Sequence, residues 1–289
     1  MKGVILTAGA ATRLRPITKV TGKVLVPIYN KPMIYYGLSL MFSCGITDIA
    51  LVCNSFDLPF YKNLFDKKLA DCGINIKYFV QKQALGTANA LKYASSFVGN
   101  EDFVLLFGDN VFVMNGMDKM LKDAIKHNSG LTVFAKTVSD PERFGVIEHD
   151  SKFNITNMEE KPKQPKSNLA STGLYVYSGD AMERVKKVKK SPRGEYELTN
   201  VLNSYVSEHR AKVKVLDNNC AWLDTGTFDS LLECSKIVKD FENENGLIGC
   251  IELELLKAKL INKTQFENLI SDYSADYKQR IYNSLKTKK

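Results

Sequence analysis

KGVILTAGAATRLRP, residues 2–16, is an apolar run that breaks first into small residues and then into arginines. Residues 4–6, Val-Ile-Leu, form a short continuous apolar segment, which is typical of a strand buried on both faces of an α/β sheet. Small residues around Gly9 let the backbone amides of a turn approach an anion closely. Arg13 and Arg15 add charge-assisted donors beside it. The stretch predicts a buried strand and a phosphate-binding turn; the alternative is a plain turn with two solvated arginines.

Two common phosphate-binding motifs do not fit this turn. Only Gly9 remains where a dinucleotide-binding fingerprint has three spaced glycines. No Gly-Lys-Ser/Thr follows, so the Walker-type loop is also excluded.

Length and composition indicate a globular protein. The chain has 289 residues, 44% of them hydrophobic and 25% charged, enough for one large α/β domain with or without an appendage. No apolar run reaches membrane-spanning length and no signal-peptide cleavage region is evident, so we expect a cytoplasmic protein that binds no membrane. The net charge of +8 lies largely in lysine-rich, solvated-looking segments without an RNA-binding motif, which favours small anionic ligands over nucleic acid.

The cysteines and histidines do not indicate a metal or redox site. The six cysteines never approach paired spacing, and we expect them to be reduced core residues. The three histidines have no neighbouring metal-type partner in the sequence.

Predicted strands alternate with predicted helices over the first part of the chain. This rhythm predicts an α/β fold with a largely parallel sheet and helices on both faces. Ligands in such sheets bind beyond the carboxyl ends of the strands. The first turn and the segments after Val80 and Phe107 should therefore converge on one crevice. The predicted strands are 49–53, 74–80 and 103–107, and the predicted helices are 32–44, 58–69 and one that begins near Thr87.

Two aspartates follow apolar stretches that lie far apart in the sequence. Asp109 lies in the segment Gly108-Asp109-Asn110, which directly follows the predicted strand 103–107. Asp224 lies between an apolar stretch and a small-residue turn that opens a helix. Two carboxylates facing a phosphate pocket suit Mg²⁺, which takes few protein ligands and completes its shell with water and phosphate. The alternative is a turn at Asp109 and a helix cap at Asp224.

The region between these aspartates adds polar groups. Its alternating pattern predicts antiparallel strands layered over the first half of the sheet. Lys161, fixed before a proline, is placed to present an ammonium group to a phosphate, with Glu160 and Gly145 available to sugar hydroxyls. Arg193 lies on a loop that leads into a helix. Each of these motifs alone is more often an ordinary surface turn.

Taken in order, the motifs resemble those of the glucose-1-phosphate thymidylyltransferases, sugar-phosphate nucleotidyltransferases. The resemblance runs from end to end, through a C-terminal segment that begins GLIGCIE at 246–252, and no hexapeptide-repeat tail follows. The motifs are TAGAATRLRPIT (7–18), GKVLVPIYNKPMIYY (22–36), QKQALGTANA (81–90), LLFGDN (105–110), DPERFGVIE (140–148), EEKPKQPKSN (159–168), TGLYVY (172–177), RGEYELTN (193–200) and AWLDTGTFDSLLE (221–233).

The resemblance implies a Rossmann-like nucleotidyltransferase fold and a reaction. Sugar 1-phosphate and dTTP give dTDP-sugar and pyrophosphate by Mg²⁺-dependent in-line attack, the first step of dTDP-deoxysugar synthesis such as that of dTDP-rhamnose. Implied catalytic residues are Arg13, Lys23, Asp109 and Lys161. Implied nucleotide contacts are Leu6, Ala8, Gly9, Ala10, Ala11, Thr12, Arg13, Lys23, Gln81, Gly86 and Asp109. Implied sugar-phosphate contacts are Gly145, Glu160, Lys161, Ser171, Tyr175 and Arg193, and the implied metal ligands are Asp109 and Asp224.

Several positions depart from the family pattern. Where the family has glycine, the methyl groups of Ala8 and Ala11 should narrow the turn or demand an ordinary φ. Thr87 and Asn89 near the base leave the choice between dTTP and UTP open. Ser171, in place of valine, leaves open an amino- or acetamido-sugar 1-phosphate as the substrate. A further departure is Val24 in place of a glutamine.

The resemblance also implies a division of the chain and an assembly. Residues 1–228 form the nucleotidyltransferase core, and 229–289 form a helical segment for oligomerisation or regulation, typically in a homotetramer. A catalytically silent homologue that only binds nucleotide is the alternative from another class.

Overall fold

The computed structural model describes residues 1–9, 11–151 and 154–286. Ala10, one of the predicted nucleotide contacts, lies outside the described residues. The strands are β1 (Lys2–Leu6), β2 (Pro27–Ile28), β3 (Lys31–Pro32), β4 (Asp48–Cys53), β5 (Asn75–Val80), β6 (Phe103–Phe107), β7 (Asn110–Val113), β8 (Leu131–Thr137), β9 (Gly145–His149), β10 (Ile155–Glu160), β11 (Leu169–Tyr177), β12 (Ala211–Val215) and β13 (Ala221–Asp224). The α-helices are α1 (Ile34–Ser43), α2 (Leu58–Ala70), α3 (Thr87–Lys92), α4 (Ser95–Val98), α5 (Met117–Lys126), α6 (Ala181–Lys187), α7 (Leu198–Val206), α8 (Phe228–Asn245), α9 (Ile251–Lys257), α10 (Lys263–Leu269) and α11 (Ala275–Lys286). Short 3₁₀ turns lie at Thr12–Leu14, Ile17–Lys19, Lys23–Leu25 and Pro141–Arg143.

A mixed sheet runs through the centre of the molecule. In the described part of the chain nine strands belong to it, in the order β10-β9-β11-β6-β1-β4-β5, with β8 joining β11 to β12. Strands β6, β1, β4 and β5 are mutually parallel, and Val4 lies opposite Ala50 on one side and Leu105 on the other. This half confirms the strands and helices predicted from the alternating pattern.

The central strand β1 is buried on both faces. Val4 and Ile5 are fully buried, yet they belong to different apolar clusters because successive side chains of a strand point to opposite faces. The cluster around Ile5 is covered by α1, α2, α5 and α9, and the one around Val4 by α3, α4, α6 and α7. The predicted arrangement of helices on both faces is therefore confirmed.

The antiparallel strands occupy a different place from the one predicted. Strands β9, β10 and β11 extend the central sheet, because β11 pairs antiparallel with β6 through Leu174 opposite Leu106, and β9 pairs with β11. The prediction that they are layered over the first half was wrong. Alternation identifies a half-buried strand, but it does not say which sheet edge the strand joins.

A separate two-stranded ribbon supports the carboxyl edge of the sheet. Strand β13 pairs antiparallel with β7, which places Asp224 opposite Asn110. Thr227, and not Asp224, caps α8 by accepting from the backbone N–H of Ser230. Asp224 is therefore free of the helix-capping role that the alternative gave it.

The C-terminal helices share the core with the sheet. Leu253 of α9 and Ile281 of α11 are fully buried in the same cluster as Ile5. Elsewhere, Nζ of buried Lys31 lies 2.6 Å from Oε1 of Glu242 in α8. Burial lowers the pKa of Lys31 and the neighbouring Glu242 opposes that shift.

The cysteines agree with the prediction of reduced thiols. Five are buried, Cys44 is half-buried, and all six are free. Over the ranges that the structure describes, no helix has the length and apolarity needed to cross a membrane.

Candidate active site

Two adjoining cavities open at the carboxyl edge of the parallel strands. The first, of about 290 Å³, contains predicted nucleotide contacts, and the second, of about 410 Å³, contains predicted sugar-phosphate contacts. Four residues line both cavities, namely Gly9, Thr87, Phe107 and Asp109. The two cavities therefore form one crevice, as the convergence of the first turn with the segments after β5 and β6 predicted.

Lys23 lies between the two predicted metal ligands. Its Nζ is 2.7 Å from Oδ2 of Asp109 and 3.7 Å from Oδ1 of Asp224. Asp109 lies in the turn between β6 and β7, and Asp224 is the last residue of β13. The pairing of β7 with β13 brings the two carboxylates together. Both carboxylates thus face one cationic centre at the junction of the two cavities.

Asn110 links Asp109 to the second cavity. Its Nδ2 lies 3.3 Å from Oδ1 of Asp109, and its Oδ1 accepts from the indole N–H of Trp222 over 2.7 Å. Thr225 adds a hydrogen bond to the backbone carbonyl of Asp109 over 3.2 Å. These contacts limit the positions available to the Asp109 carboxylate.

Arg13 reaches the same place from the turn after β1. It lines the second cavity, and a Cβ built on Gly226 would lie 3.0 Å from its Nη2 and 3.3 Å from Oδ2 of Asp224. The guanidinium and the carboxylate therefore both approach Gly226. A side chain at Gly226 would meet the two functional groups.

The alanines of the first turn behave differently from each other. Ala8 lines the first cavity, whereas Ala11 and Thr12 lie on the turn that follows. Ala11 has φ 44°, in the left-handed region. Of the two predicted effects of this methyl group, the demand for an ordinary φ was wrong, and the left-handed conformation costs about 1–2 kcal/mol at this position.

Gln81 and Gly86, two of the predicted nucleotide contacts, line the first cavity. Gln81 follows β5, is buried, and its Nε2 lies 3.4 Å from Oδ1 of Asn89. Gly86 has φ 111°, and a Cβ added there would lie 2.5 Å from the carbonyl oxygen of Tyr196. Only glycine fits this close approach between two chain segments.

Two hydrogen bonds hold the segment of Gly86 against the segment of Tyr196. The N–H of Tyr196 donates to Leu85, and the N–H of Ala88 donates to Tyr196, over 2.8 and 2.9 Å. These hydrogen bonds connect the wall of the first cavity to the loop that carries Arg193.

The second cavity contains a carboxylate between two cations. Oε1 of Glu160 lies 4.0 Å from Nζ of Lys161 and 3.8 Å from Nη1 of Arg193. Burial raises the pKa of Glu160, and the two cations only partly offset that shift. Register in the β9–β10 pair places Glu160 opposite Gly145. The structure brings these residues together, with Arg193 beside the second cavity rather than in its lining.

The inner wall of the second cavity carries a pair of hydroxyl groups. The hydroxyls of Ser171 and Tyr175 are 2.7 Å apart and buried. Burial raises the pKa of Tyr175, so its hydroxyl stays protonated over the physiological range. The pair offers donors and acceptors to a polar ligand.

The donor set suits a hard divalent cation that brings its own ligands. No group of three or more His, Cys, Asp or Glu side chains with metal-site geometry occurs among the residues described. Asp109 and Asp224 nevertheless converge on one cation, the Lys23 ammonium. Two carboxylates completed by phosphate oxygens and water match the preference of Mg²⁺.

Trp222 and Arg143 are among the crevice residues that were not predicted as site residues. Trp222 lines the second cavity two positions before Asp224, on the same face of β13, and that period of two was the signal for it. Arg143 also lines this cavity, with Nη2 3.2 Å from Oδ2 of Asp224. Sequence gives little signal for Arg143, because its contact with Asp224 depends on how distant segments meet.

Comparison with known proteins identifies relatives over most of the chain. Residues 2–240 match the model of the Nucleotidyl transferase family. A glucose-1-phosphate thymidylyltransferase of Neisseria meningitidis is 42% identical over 253 residues, which cover 87% of this chain and 88% of that protein. One of Mycobacterium tuberculosis is also 42% identical, over 86% of this chain and 85% of its own.

Solved structures of related proteins also resemble this chain. One is a Bacillus anthracis protein in complex with a sucrose, solved under the provisional name glucose-1-phosphate thymidylyltransferase. It superposes with a TM-score of 0.74 at 36% identity, and the match covers 83% of this chain and 96% of that chain. A UDP-glucose pyrophosphorylase complexed with UDP-glucose gives a TM-score of 0.73 at 24% identity, with 83% and 98% coverage, a likeness that concerns the fold.

Proposed function

This chain belongs to the nucleotidyl transferase family, and from that premise we propose that it is a glucose-1-phosphate thymidylyltransferase that joins dTTP and α-D-glucose 1-phosphate. The products are dTDP-glucose and pyrophosphate, and the reaction opens a dTDP-deoxysugar route such as that to dTDP-rhamnose. The observation that carries the proposal is the position of Lys23, Asp109 and Asp224 at the junction of the two cavities.

The nucleotide is proposed to lie in the first cavity. The first turn supplies Ala8 and Gly9 at its wall, and Arg13 and Lys23 supply positive charge for the triphosphate. Gln81 offers an amide to the pyrimidine edge in a buried position. This orientation leaves the α-phosphorus near the junction.

The sugar 1-phosphate is proposed to lie in the second cavity. Lys161 and Arg193 neutralise its phosphate, while Glu160, Gly145 and the Ser171 and Tyr175 hydroxyls face the hexose ring. Two anionic substrates repel each other, so these cations allow their close approach. Positioning two substrates in line accounts for a large part of such an acceleration.

The reaction exchanges one phosphorus–oxygen bond for another. An oxygen of the sugar phosphate forms a bond to the α-phosphorus, and the bond from the α-phosphorus to pyrophosphate breaks on the opposite side. Arg13 and Lys23 stabilise the charge that develops on pyrophosphate. Asp109 and Asp224 would hold a Mg²⁺ ion, which supplies Lewis-acid stabilisation of the phosphate oxygens when bound.

Assembly forms part of the same proposal. Residues 1–228 are the catalytic core, and 229–289 are a helical segment that serves oligomerisation, in a homotetramer. The burial of Leu253 and Ile281 in the main core supports a fixed position for that segment on the catalytic part. Sedimentation at several protein concentrations measures the assembly.

Release of pyrophosphate across a panel of substrates tests the activity. The panel pairs dTTP and UTP with glucose 1-phosphate and with 2-amino- and 2-acetamido-glucose 1-phosphate, in Mg²⁺. We expect the highest kcat/KM for dTTP with glucose 1-phosphate. Preference for UTP or for a 2-substituted sugar would replace the substrate assignment, and dTTP binding without turnover of any pair would establish a silent homologue.

A further inference from the structure

Arg143 and Lys23 approach opposite oxygens of the Asp224 carboxylate. Nη2 of Arg143 lies 3.2 Å from Oδ2, and Nζ of Lys23 lies 3.7 Å from Oδ1. Of these two contacts of Asp224, the one with Arg143 is the shorter. Lys23 also has a closer partner, Asp109, at 2.7 Å.

Arg143 also forms a second ion pair, with Asp140, and this ion pair is shorter than the one with Asp224. Its Nη1 lies 2.6 Å from Oδ2 of Asp140, a residue of the same short turn, and its guanidinium carbon lies 5.3 Å from the centre of the Phe144 ring. About 44% of the Arg143 side chain and 40% of the Asp140 side chain are exposed. The guanidinium can therefore leave Asp224 without losing its ion pair or its place on the ring.

A divalent cation and a guanidinium compete for the same carboxylate. Mg²⁺ needs oxygen ligands at about 2.0–2.1 Å in near-octahedral geometry, and two cations on one carboxylate repel each other. A metal at Asp224 would meet Arg143 before any substrate enters the second cavity. The competition decides how tightly the free protein holds the metal.

We propose that Arg143 is a positioning residue that acts as an exchangeable counter-ion of Asp224. In the free protein it bridges Asp224 and Asp140, and when a divalent cation binds it gives up its contact with Asp224 and keeps its ion pair with Asp140. Metal affinity of the free protein is then low, and the cation enters with the nucleotide triphosphate. This inference rests on the proposed function, since the metal at Asp224 belongs to that proposal.

Binding of Mn²⁺ to the free full-length protein, followed by electron paramagnetic resonance, tests the inference without turnover. Arg143→Gln removes the competitor and should tighten Mn²⁺ binding about two- to fivefold, the range of an exposed ion pair. Arg143→Lys, which keeps the charge, should stay near wild type. Lys214→Gln breaks an exposed ion pair to Asp123 outside the crevice and is the matched charge control.

Asp140→Asn gives a change of the opposite sign. Without its ion pair with Asp140, Arg143 stays on Asp224, so Mn²⁺ binding should weaken about two- to fivefold. In the Arg143→Gln background the same substitution should have no such effect, and this double-mutant cycle separates the exchange from a general loss of negative charge.

Two outcomes would overturn the inference. They are Mn²⁺ binding by Arg143→Gln that is unchanged or weaker than that of the wild type, and an equal effect of Asp140→Asn in both backgrounds. Misfolding would lose binding, which is opposite to the gain expected for Arg143→Gln. Asp224→Asn separates the two proposals: if it leaves Mn²⁺ binding intact, the proposed metal site itself fails, whereas loss there with no response to Arg143→Gln removes only the exchange.

Discussion

The backbone N–H of Leu198, the first residue of α7, donates a hydrogen bond to the Thr87 hydroxyl over 3.1 Å. Thr87 is the first residue of α3 and lines both cavities. One side chain therefore joins the start of α7, the helix that follows the loop of Arg193, to the wall that the two cavities share.

Thr87→Val should weaken substrate binding in the second cavity more than in the first. It leaves the Leu198 N–H without its acceptor, which costs about 1–3 kcal/mol and loosens the loop that carries Arg193. We expect KM for the sugar 1-phosphate to rise about tenfold and KM for the nucleotide to change less. Thr87→Ser keeps the hydroxyl and should restore both values. Equal KM values for the valine variant and the wild type would contradict the role of this hydrogen bond.

Asp224→Asn should lower kcat/KM by at least about a hundredfold, because it weakens a proposed metal ligand. Initial rates over a series of Mg²⁺ concentrations measure the loss and show whether excess metal recovers activity. The control is Asp229→Asn, an exposed carboxylate on the first turn of α8. Near-native rates at limiting Mg²⁺ would remove Asp224 from the metal site.

Binding of the sugar 1-phosphate should depend on the ionisation of Glu160. Burial raises the pKa of this carboxyl, so on acidification it gains a proton at a higher pH than an ordinary glutamate. In the proposed binding mode the ionised form accepts hydrogen bonds from the sugar, and KM should therefore rise up to about tenfold per pH unit below that raised pKa. Steady-state KM across the acidic range measures the effect.

Two variants isolate this titration from that of the substrate's phosphate. Glu160→Gln should show a high KM for the sugar 1-phosphate that lacks the dependence on pH caused by Glu160. Any dependence of KM on pH that remains comes from titration of the substrate's phosphate. Glu159→Gln changes the exposed neighbour on the opposite face of β10 and should retain the wild-type profile. A wild-type profile in Glu160→Gln would refute the assignment.

Glu242→Gln should destabilise the protein by about 3–5 kcal/mol, because it leaves the buried Lys31 ammonium without its carboxylate. Burial already lowers the pKa of Lys31, and without Glu242 the folded state should release its proton more readily. The unfolded state then binds more protons, so the free energy of unfolding of this variant should rise with pH. Urea denaturation at several pH values measures it.

The double variant Lys31→Met/Glu242→Leu is the control for that experiment. It replaces the ion pair by apolar side chains and should recover most of the lost stability, since an apolar pair is often as stable as a buried ion pair. Glu242→Gln with wild-type stability at all pH values would show that the pair contributes little.

Local pattern was sufficient for the parallel half of the fold. The continuous apolar run of β1 and the repeated strand and helix signals predicted the order of elements, because each is a short segment with its own periodicity. The crevice followed from the rule that ligands bind beyond the carboxyl ends of such strands. Asp109 and the turn around Gly9 lie there.

Other features depend on contacts that no local pattern records. The place of β9 to β11 is set by pairing of β11 with β6, between strands far apart in the sequence. The left-handed conformation of Ala11 is imposed by the turn around it, against its own preference. Arg143 meets Asp224 because the turn before β9 folds against the end of β13.

The pairing of β7 with β13 acts as a fixed spacer between Asp109 and Asp224. Because Asp224 lies opposite Asn110 in the ladder, a slip of one residue would turn its side chain to the other face. The chain between the two strands supplies most of the lining of the second cavity but forms no part of this ladder. In the course of evolution or design, that lining segment could therefore be exchanged for another while the ladder keeps the separation of the two carboxylates.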